Sequence, residues 1–327
     1  MESLSEERFV ELANEFDAAV EETEDLDTFC SSTDWVMPAH RDLMPARRFV
    51  GARLDGLWFV GALRELGDGI RVLEPLEASW ALASPAVGLD SRERAACLVQ
   101  WLMKGSSEWD VLLIAGMTTG SRSLGLLTGE LERHFELRIG EPTPRYVIDL
   151  GPGVDAFLSR RSKNFRRSIT KARNRWQREG ITFEPAHAQS SNEADAIYQR
   201  VLAVERRSWK GVEGVGIDDG HMSDFYRHMG QRLARDGRHR CWFARLGERD
   251  LGYVLGGVRG SHYRGLQFSY DREVSKLSLG NVMQVEQMLA LSAEGIRSYD
   301  LGSQAEYKRR WADEVVTSPV LFCFKRR

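Results

Sequence analysis

Two segments of this 327-residue chain echo each other in order and spacing. The first is "GARLDGLWFVGALRELGDGIRVLEPL", Gly51–Leu76, and the second is "WFARLGERDLGYVLGGVRGSHYRGLQFSY", Trp242–Tyr270. Each runs from an apolar strand ending in Ala-Arg-Leu, through a polar turn, to a second strand ending in Gly-Ala-Leu-Arg or Gly-Gly-Val-Arg. A third strand follows a glycine-containing turn, so alternation and turn chemistry predict a three-stranded antiparallel meander. The echo continues downstream, where Ser91–Gly116 and Ser278–Ser303 both read as a helix followed by a strand. Ala52 lies 57 residues before Trp109 and Ala244 lies 55 before Tyr299, so the repeated unit is meander, helix, strand. This predicts a mixed α/β fold present in two copies. "GEPTPRYVIDLG", Gly140–Gly151, has two prolines and is the expected joint, dividing the chain into 1–142 and 143–327.

Two domains also suit the length, which exceeds that of one ordinary core. The net charge of −3 draws the whole protein neither to nucleic acid nor to an anionic membrane, so a polyanion site must be local. Cys30, Cys97, Cys241 and Cys323 lie far apart with no metal-ligand spacing and read as reduced thiols. The acidic start "MESLSEERFVELANEF" lacks a signal pattern, and no apolar run reaches the ~18 residues of a membrane helix. The expectation is a cytoplasmic protein with no membrane span. GxSxG, HExxH, GxxxxGK[ST] and EF-hand patterns are absent, and the seven histidines are scattered, so no metal is assigned.

The local polyanion candidate is "SRRSKNFRRSITKARNRWQREG", Ser159–Gly180, with nine basic residues from Arg160 to Arg178 and no acid before Glu179. Phe165, Ile169, Ala172 and Trp176 form one apolar helical stripe, leaving Arg166 and the other cations on the remaining faces. The run fits a solvated helix face or a phosphate site equally well. Next, "ADAIYQRVLAVERRSWKG", Ala194–Gly211, reads as a helix ending at Trp209-Lys210-Gly211. The glycines of "KGVEGVGIDDGH" follow a helix rather than a strand, which excludes a dinucleotide fingerprint and leaves a substrate-side loop. Near the C-terminus, "RSYDLGSQAEYKRRWADE" reads as a strand ending at Asp300, a turn on Gly302 and a helix carrying Tyr307, Lys308, Arg310 and Trp311.

This order of basic helix, "ERRSWKG", meander, "SLGN" helix, "YDLG" and "YKRRW" resembles the GNAT acyltransferase superfamily. The likeness is greatest to the branch of CelD-like acetyltransferases and Fem-type peptidyltransferases with tandem GNAT-like domains. It extends over about Tyr146–Phe324; in the N-terminal half it rests on the echo. The resemblance implies a degenerate GNAT-like domain over 1–142 and an acyltransferase domain over 143–327. It also implies acetyl-CoA or another acyl-CoA as co-substrate. The strand His262–Tyr270 would splay from its neighbour and hydrogen-bond the pantetheine arm, with Gln267, Ser269 and Tyr270 on it. Ser278, Leu279, Gly280 and Asn281 would open a helix N-terminus toward the pyrophosphate. Only Gly280 fits the superfamily's usual Arg/Gln-x-x-Gly-x-Gly/Ala loop. The N-terminal counterpart, "GLDSRERAA", has Asp90 and Glu93 on its own helix dipole and reads as a scaffold that binds no donor.

Lys308, between Tyr307 and Trp311, matches the Fem-type lysine implicated in stabilising the transition state. An ammonium is a sound partner for the oxyanion of acyl transfer. Asp300 would orient Lys308 or take the proton of the attacking amine, with Glu205 and Glu306 as the other bases; nothing in the sequence selects among them. Arg166, Trp209 and Trp311 are the expected substrate contacts. An amine of pKa ~10.4 is about one part in 2,500 neutral at pH 7, so positioning in a deep cleft must supply much of the rate. Three functions follow. The first is an N-acyltransferase carrying an acyl group from acyl-CoA to a small amine or amino sugar. The second is a Fem-like aminoacyl transferase that grips aminoacyl-tRNA with the 160–178 helix. The third is a binding module with the fold alone.

Overall fold

A computed structural model describes residues 1–303 and 306–326, without the side chain of Glu306. The chain forms two compact units, Met1–Pro144 together with Val316–Arg327, and Arg145–Val315. The first begins with β1 (Glu2–Leu4), α1 (Glu6–Glu11), α2 (Ala13–Glu22) and α3 (Thr33–Pro38). The predicted meander is β2 (Arg48–Leu54), β3 (Leu57–Glu65) and β4 (Arg71–Pro75), antiparallel throughout. A short β5 (Ala86–Val87), α4 (Arg92–Lys104), β6 (Val111–Ile114), α5 (Arg122–Leu131) and β7 (Phe135–Ile139) complete it. Ser91 caps α4 by accepting from the Arg94 N–H at 3.3 Å. Ala95, Leu98, Val99 and Leu102 form its buried stripe, at helical spacing. β6 then pairs parallel with β4, as meander, helix, strand requires.

The second unit repeats that order. It runs β8 (Thr143–Asp149), α6 (Val154–Ser159), α7 (Lys163–Glu179), β9 (Ile181–Pro185), α8 (Ser191–Glu205), α9 (Trp209–Val212) and α10 (Gly220–Arg235). The meander is β10 (His239–Leu246), β11 (Arg249–Arg259) and β12 (His262–Tyr270), followed by α11 (Leu279–Ala293), β13 (Ser298–Asp300) and β14 (Glu314–Ser318). The sheet order is β14-β8-β13-β12-β11-β10-β9. α7 follows its sequence pattern, with Ile169, Ala172 and Trp176 buried and Gly180 ending it in the left-handed region at φ 72°.

Two expectations need correction. The last strand, β15 (Leu321–Lys325), is not in the second unit: it lies antiparallel between β6 and β7 of the first. A linear division at 142/143 cannot contain it, because strand pairing follows apolar pattern and register rather than chain position. The helix expected after Gly302 is a five-residue 3₁₀ turn, Glu306–Arg310.

Candidate active site

The site is built where β12 loses a neighbour. β12 and β13 pair in parallel over only three residue pairs, ending at Arg264 with Asp300, and β12 then runs on to Tyr270 with β11 alone. A bulge at Leu266 falls where they part, since Leu255 pairs with Gln267 but Gly256 with Gly265. Register fixes which peptide groups are left over. The Asp271 N–H bonds to the Leu251 carbonyl at 2.8 Å, so the alternate pairs Tyr253–Ser269 and Leu255–Gln267 exchange backbone bonds. The backbone groups of Phe268 and Tyr270 therefore face the open edge. Gln267 and Ser269 are corrected here, because their backbone groups are spent on β11.

Lys308 stands at this fork. Its ammonium donates to the Ser303 carbonyl at 2.7 Å. Gly302 has φ 82°, and a Cβ there would come 3.6 Å from Lys308 Nζ and 3.8 Å from Arg264 Nη2. Burial pushes the Lys308 pKa down to about 8, helped by Arg264 and Lys210 and opposed by Asp300. Asp300 is corrected as a base. One carboxylate oxygen accepts from Arg145 at 2.7 Å and Arg264 at 2.8 Å, and the other from the Gly302 N–H at 2.7 Å. With both oxygens engaged, it fixes the fork rather than taking a substrate proton.

The opposite wall is the turn from α8 into α9. Ser208 caps α9 by accepting from the Gly211 N–H, and Gly211 has no room for a Cβ, which would meet the Glu205 carbonyl at 2.4 Å. Lys210 Nζ is thereby aimed at β12, donating to Gln267 Oε1 at 3.1 Å and to the Phe268 carbonyl at 3.0 Å. Gln267 in turn donates to the Tyr226 hydroxyl at 2.8 Å. Burial lowers the Lys210 pKa, and Glu205 pulls it back up. Glu205 itself is fully buried, accepting from the Tyr253 hydroxyl at 2.9 Å. A base must reach its proton, so Glu205 as drawn from the sequence is also corrected: it backs Lys210 from behind.

The other expected residues separate. Gly280 opens α11 against β12, where a Cβ would meet Phe268 Cζ at 3.0 Å. Asn281 accepts from Arg310 at 2.9 Å, and the first turn of α11 holds no acid, so this helix start fits an anion. Ser278 is exposed there at φ 54°, whereas the Leu279 side chain is core and leaves only its backbone to a ligand. Tyr307 and Trp209 are each 50% exposed. Trp311 is corrected as a substrate contact: it is 2% exposed, stacked on Phe157 with Phe165 at its edge, and anchors the turn that carries Lys308. Arg166 lies apart on α7, lining an open groove with Lys163, Arg167, Lys171 and Arg178. The side chain of Glu306 lies outside the described residues. Sequence reading missed Arg145, Arg264, Lys210, Arg310 and Phe268. Its one available signal was a charged Arg264 flanked by Tyr263 and Gly265 within a strand.

Among the described residues no cluster could hold a metal and no helix is long and apolar enough to cross a membrane. Residues 163–309 match the acetyltransferase (GNAT) domain family. No curated protein matches the chain. FemX is similar in structure over 100% of this chain and 98% of its own, at 12% identity and TM-score 0.66. A conserved protein of unknown function from Bacteroides thetaiotaomicron VPI-5482 covers 97% of both chains at 10% identity and TM-score 0.64. L-PGS from Bacillus licheniformis covers 96% of this chain and 92% of its own at 13% identity and TM-score 0.59. The stretch that matches the acetyltransferase (GNAT) domain family thus lies within the second unit. Over its full length the chain has the tandem fold it shares with FemX.

Proposed function

We propose that the chain is an N-acyltransferase that moves an acyl group from acyl-CoA, acetyl-CoA first among them, to a small amine or amino sugar. The observation that carries this reading is the fork itself: an unpaired strand edge at Phe268 and Tyr270 that begins beside a half-buried Lys308. An amide-bearing donor arm can pair with that edge as a missing strand would. The start of α11, with Arg310 at Asn281, offers a cationic end for the donor's phosphates. A neutral amine attacks the thioester carbonyl, the C–N bond forms as the C–S bond breaks, and the ammonium of Lys308 stabilises the passing oxyanion. The proton lost by the amine nitrogen passes to the departing thiolate, which leaves as the free thiol of CoA.

The test is thermal unfolding with millimolar CoA and acetyl-CoA, on wild type and Lys308→Met. Ligand at ~100 times its Kd adds about 2.7 kcal/mol, a shift of a few degrees. Lys308→Met keeps that shift and loses about 10²–10³ in transfer rate, the usual cost of one oxyanion donor. An unshifted wild type would end the acyl-CoA reading. A second reading, aminoacyl transfer from tRNA, is favoured by one observation. Among the described residues Lys163, Arg166, Arg167 and Lys171 on α7 make neither an ion pair nor a side-chain hydrogen bond, leaving four cations for phosphates.

A further inference from the structure

Glu205 holds a defect that asks for a reason. Its Oε1 is fully buried and has no hydrogen-bond partner, while Oε2 is held by the Tyr253 hydroxyl and keeps the carboxylate from turning. An unsatisfied buried carboxylate oxygen is costly, and native interiors seldom keep one. Lys210 Nζ lies 4.0 Å from that oxygen, just too far to bond. It is bonded instead to Gln267 and to the Phe268 carbonyl, the acceptor that β12 turns to its open edge.

We propose that Lys210 is a latch on the open edge of β12, holding the Phe268 carbonyl until the acyl donor takes it and then moving onto Glu205. The proposal rests on the reading that the donor lies along this edge, and it makes Lys210 a positioning residue. A shift of roughly 1 Å would bring the ammonium into charge-assisted contact with Glu205 Oε1. The lysine thus has two seats, one filled and one prepared. Its carrier is short: α9 is a single turn of four residues, Trp209–Val212, with Gly214 and Gly220 in the left-handed region beyond it. Gly216 lies against Glu205, where a Cβ would come 3.3 Å from Oε1, so the prepared seat is screened from water. Trp209, Val212 and Val215 expose 50%, 56% and 61% of their surface, which is unusual for three apolar side chains on one short segment and fits a segment covered only when the donor is bound.

Calorimetric titration with CoA of wild type, Lys210→Met, Glu205→Gln and the double variant tests this. Lys210→Met removes the competitor for Phe268 and should bind CoA about tenfold more tightly, ~1.4 kcal/mol. Glu205→Gln spoils the prepared seat and should bind about tenfold more weakly in the wild-type background, yet change nothing in the Lys210→Met background. A merely structural pair would weaken binding in both single variants. Weaker binding by Lys210→Met therefore overturns the latch while leaving the donor reading intact. Absence of CoA binding in both wild type and Lys210→Met overturns the donor reading and the latch with it. Binding by Lys210→Met alone supports both. Should Lys210→Met fail to fold, Glu205→Gln decides alone, since equal or tighter binding there removes the second seat.

Discussion

At the scale of the residue, Lys308 makes a pH-dependent prediction whose sign can be worked out. Burial and the charges of Arg264 and Lys210 hold its pKa at about 8, against an ordinary 10.5. Below about 8 it is an ammonium and can meet an oxyanion; above, it is neutral. The transfer rate should fall as pH rises past about 8, and Lys308→Arg should lose that descending limb because a guanidinium stays charged. Stability runs the other way. Between about 8 and 10.5 the folded chain gives up a proton that the unfolded chain keeps, so the cost of the buried charge is full below this window and fades as pH rises through it. Denaturant titrations across that range should show stability rising with pH, and Lys308→Met should flatten the rise. The candidate lysine came from "YKRRW", which carries nothing of its setting. Asp300 failed as a base because of Arg145, 155 positions away, and Arg264, 36 positions away. No local pattern announces such partners.

At the scale of the element, what the sequence spelled out was periodicity, and what it hid was register. The helical stripe of α7 and the repeated meander follow from spacing alone, and both are present. Which strand residues offer free backbone groups depends on pairing parity and on the bulge at Leu266, so Phe268 was overlooked in favour of Gln267 and Ser269. The 3₁₀ turn at Glu306–Arg310 is a similar case, since five residues carry too little periodicity to tell one helix type from another. α7 yields a prediction of its own. Arg173 pairs with Glu286 and Arg175 bonds to the Lys276 carbonyl, whereas Lys163, Arg166, Arg167 and Lys171 have no ion pair to lose among the described residues. Changing these four to glutamine should leave the midpoint of unfolding nearly unchanged, each exposed site contributing within about 0.5 kcal/mol. If the helix grips tRNA, the salt dependence of binding should flatten by ~3 in slope. An unchanged slope in filter binding between low and moderate salt would leave α7 a solvated face.

At the scale of the whole molecule, the first unit is assembled from two separate stretches of the chain. The first unit's sheet is completed by residues distant in sequence: β15 follows the entire second unit along the chain and fills the gap between β6 and β7. Leu321 and Cys323 are buried there, in the same core as Leu98, Leu112 and Leu131. Until β15 is in place, β6 has one unpaired edge and β7 has no sheet partner among the described residues, and such edges associate between chains. A chain ending at Ser318 should therefore lose more than the ~2–5 kcal/mol typical of truncating one buried leucine. The loss should fall on the first unit. Limited proteolysis should cut first within residues 1–144 of that truncated chain. The emission of Trp109, 2% exposed and beside Phe135, should shift to the red. Equal resistance of truncated and full-length chains would mean that the first unit closes its sheet without β15. The open edge of β12, where the donor is proposed to bind, lies in the second unit, so CoA binding by the truncated chain should survive; its loss would count against placing the donor on that edge alone.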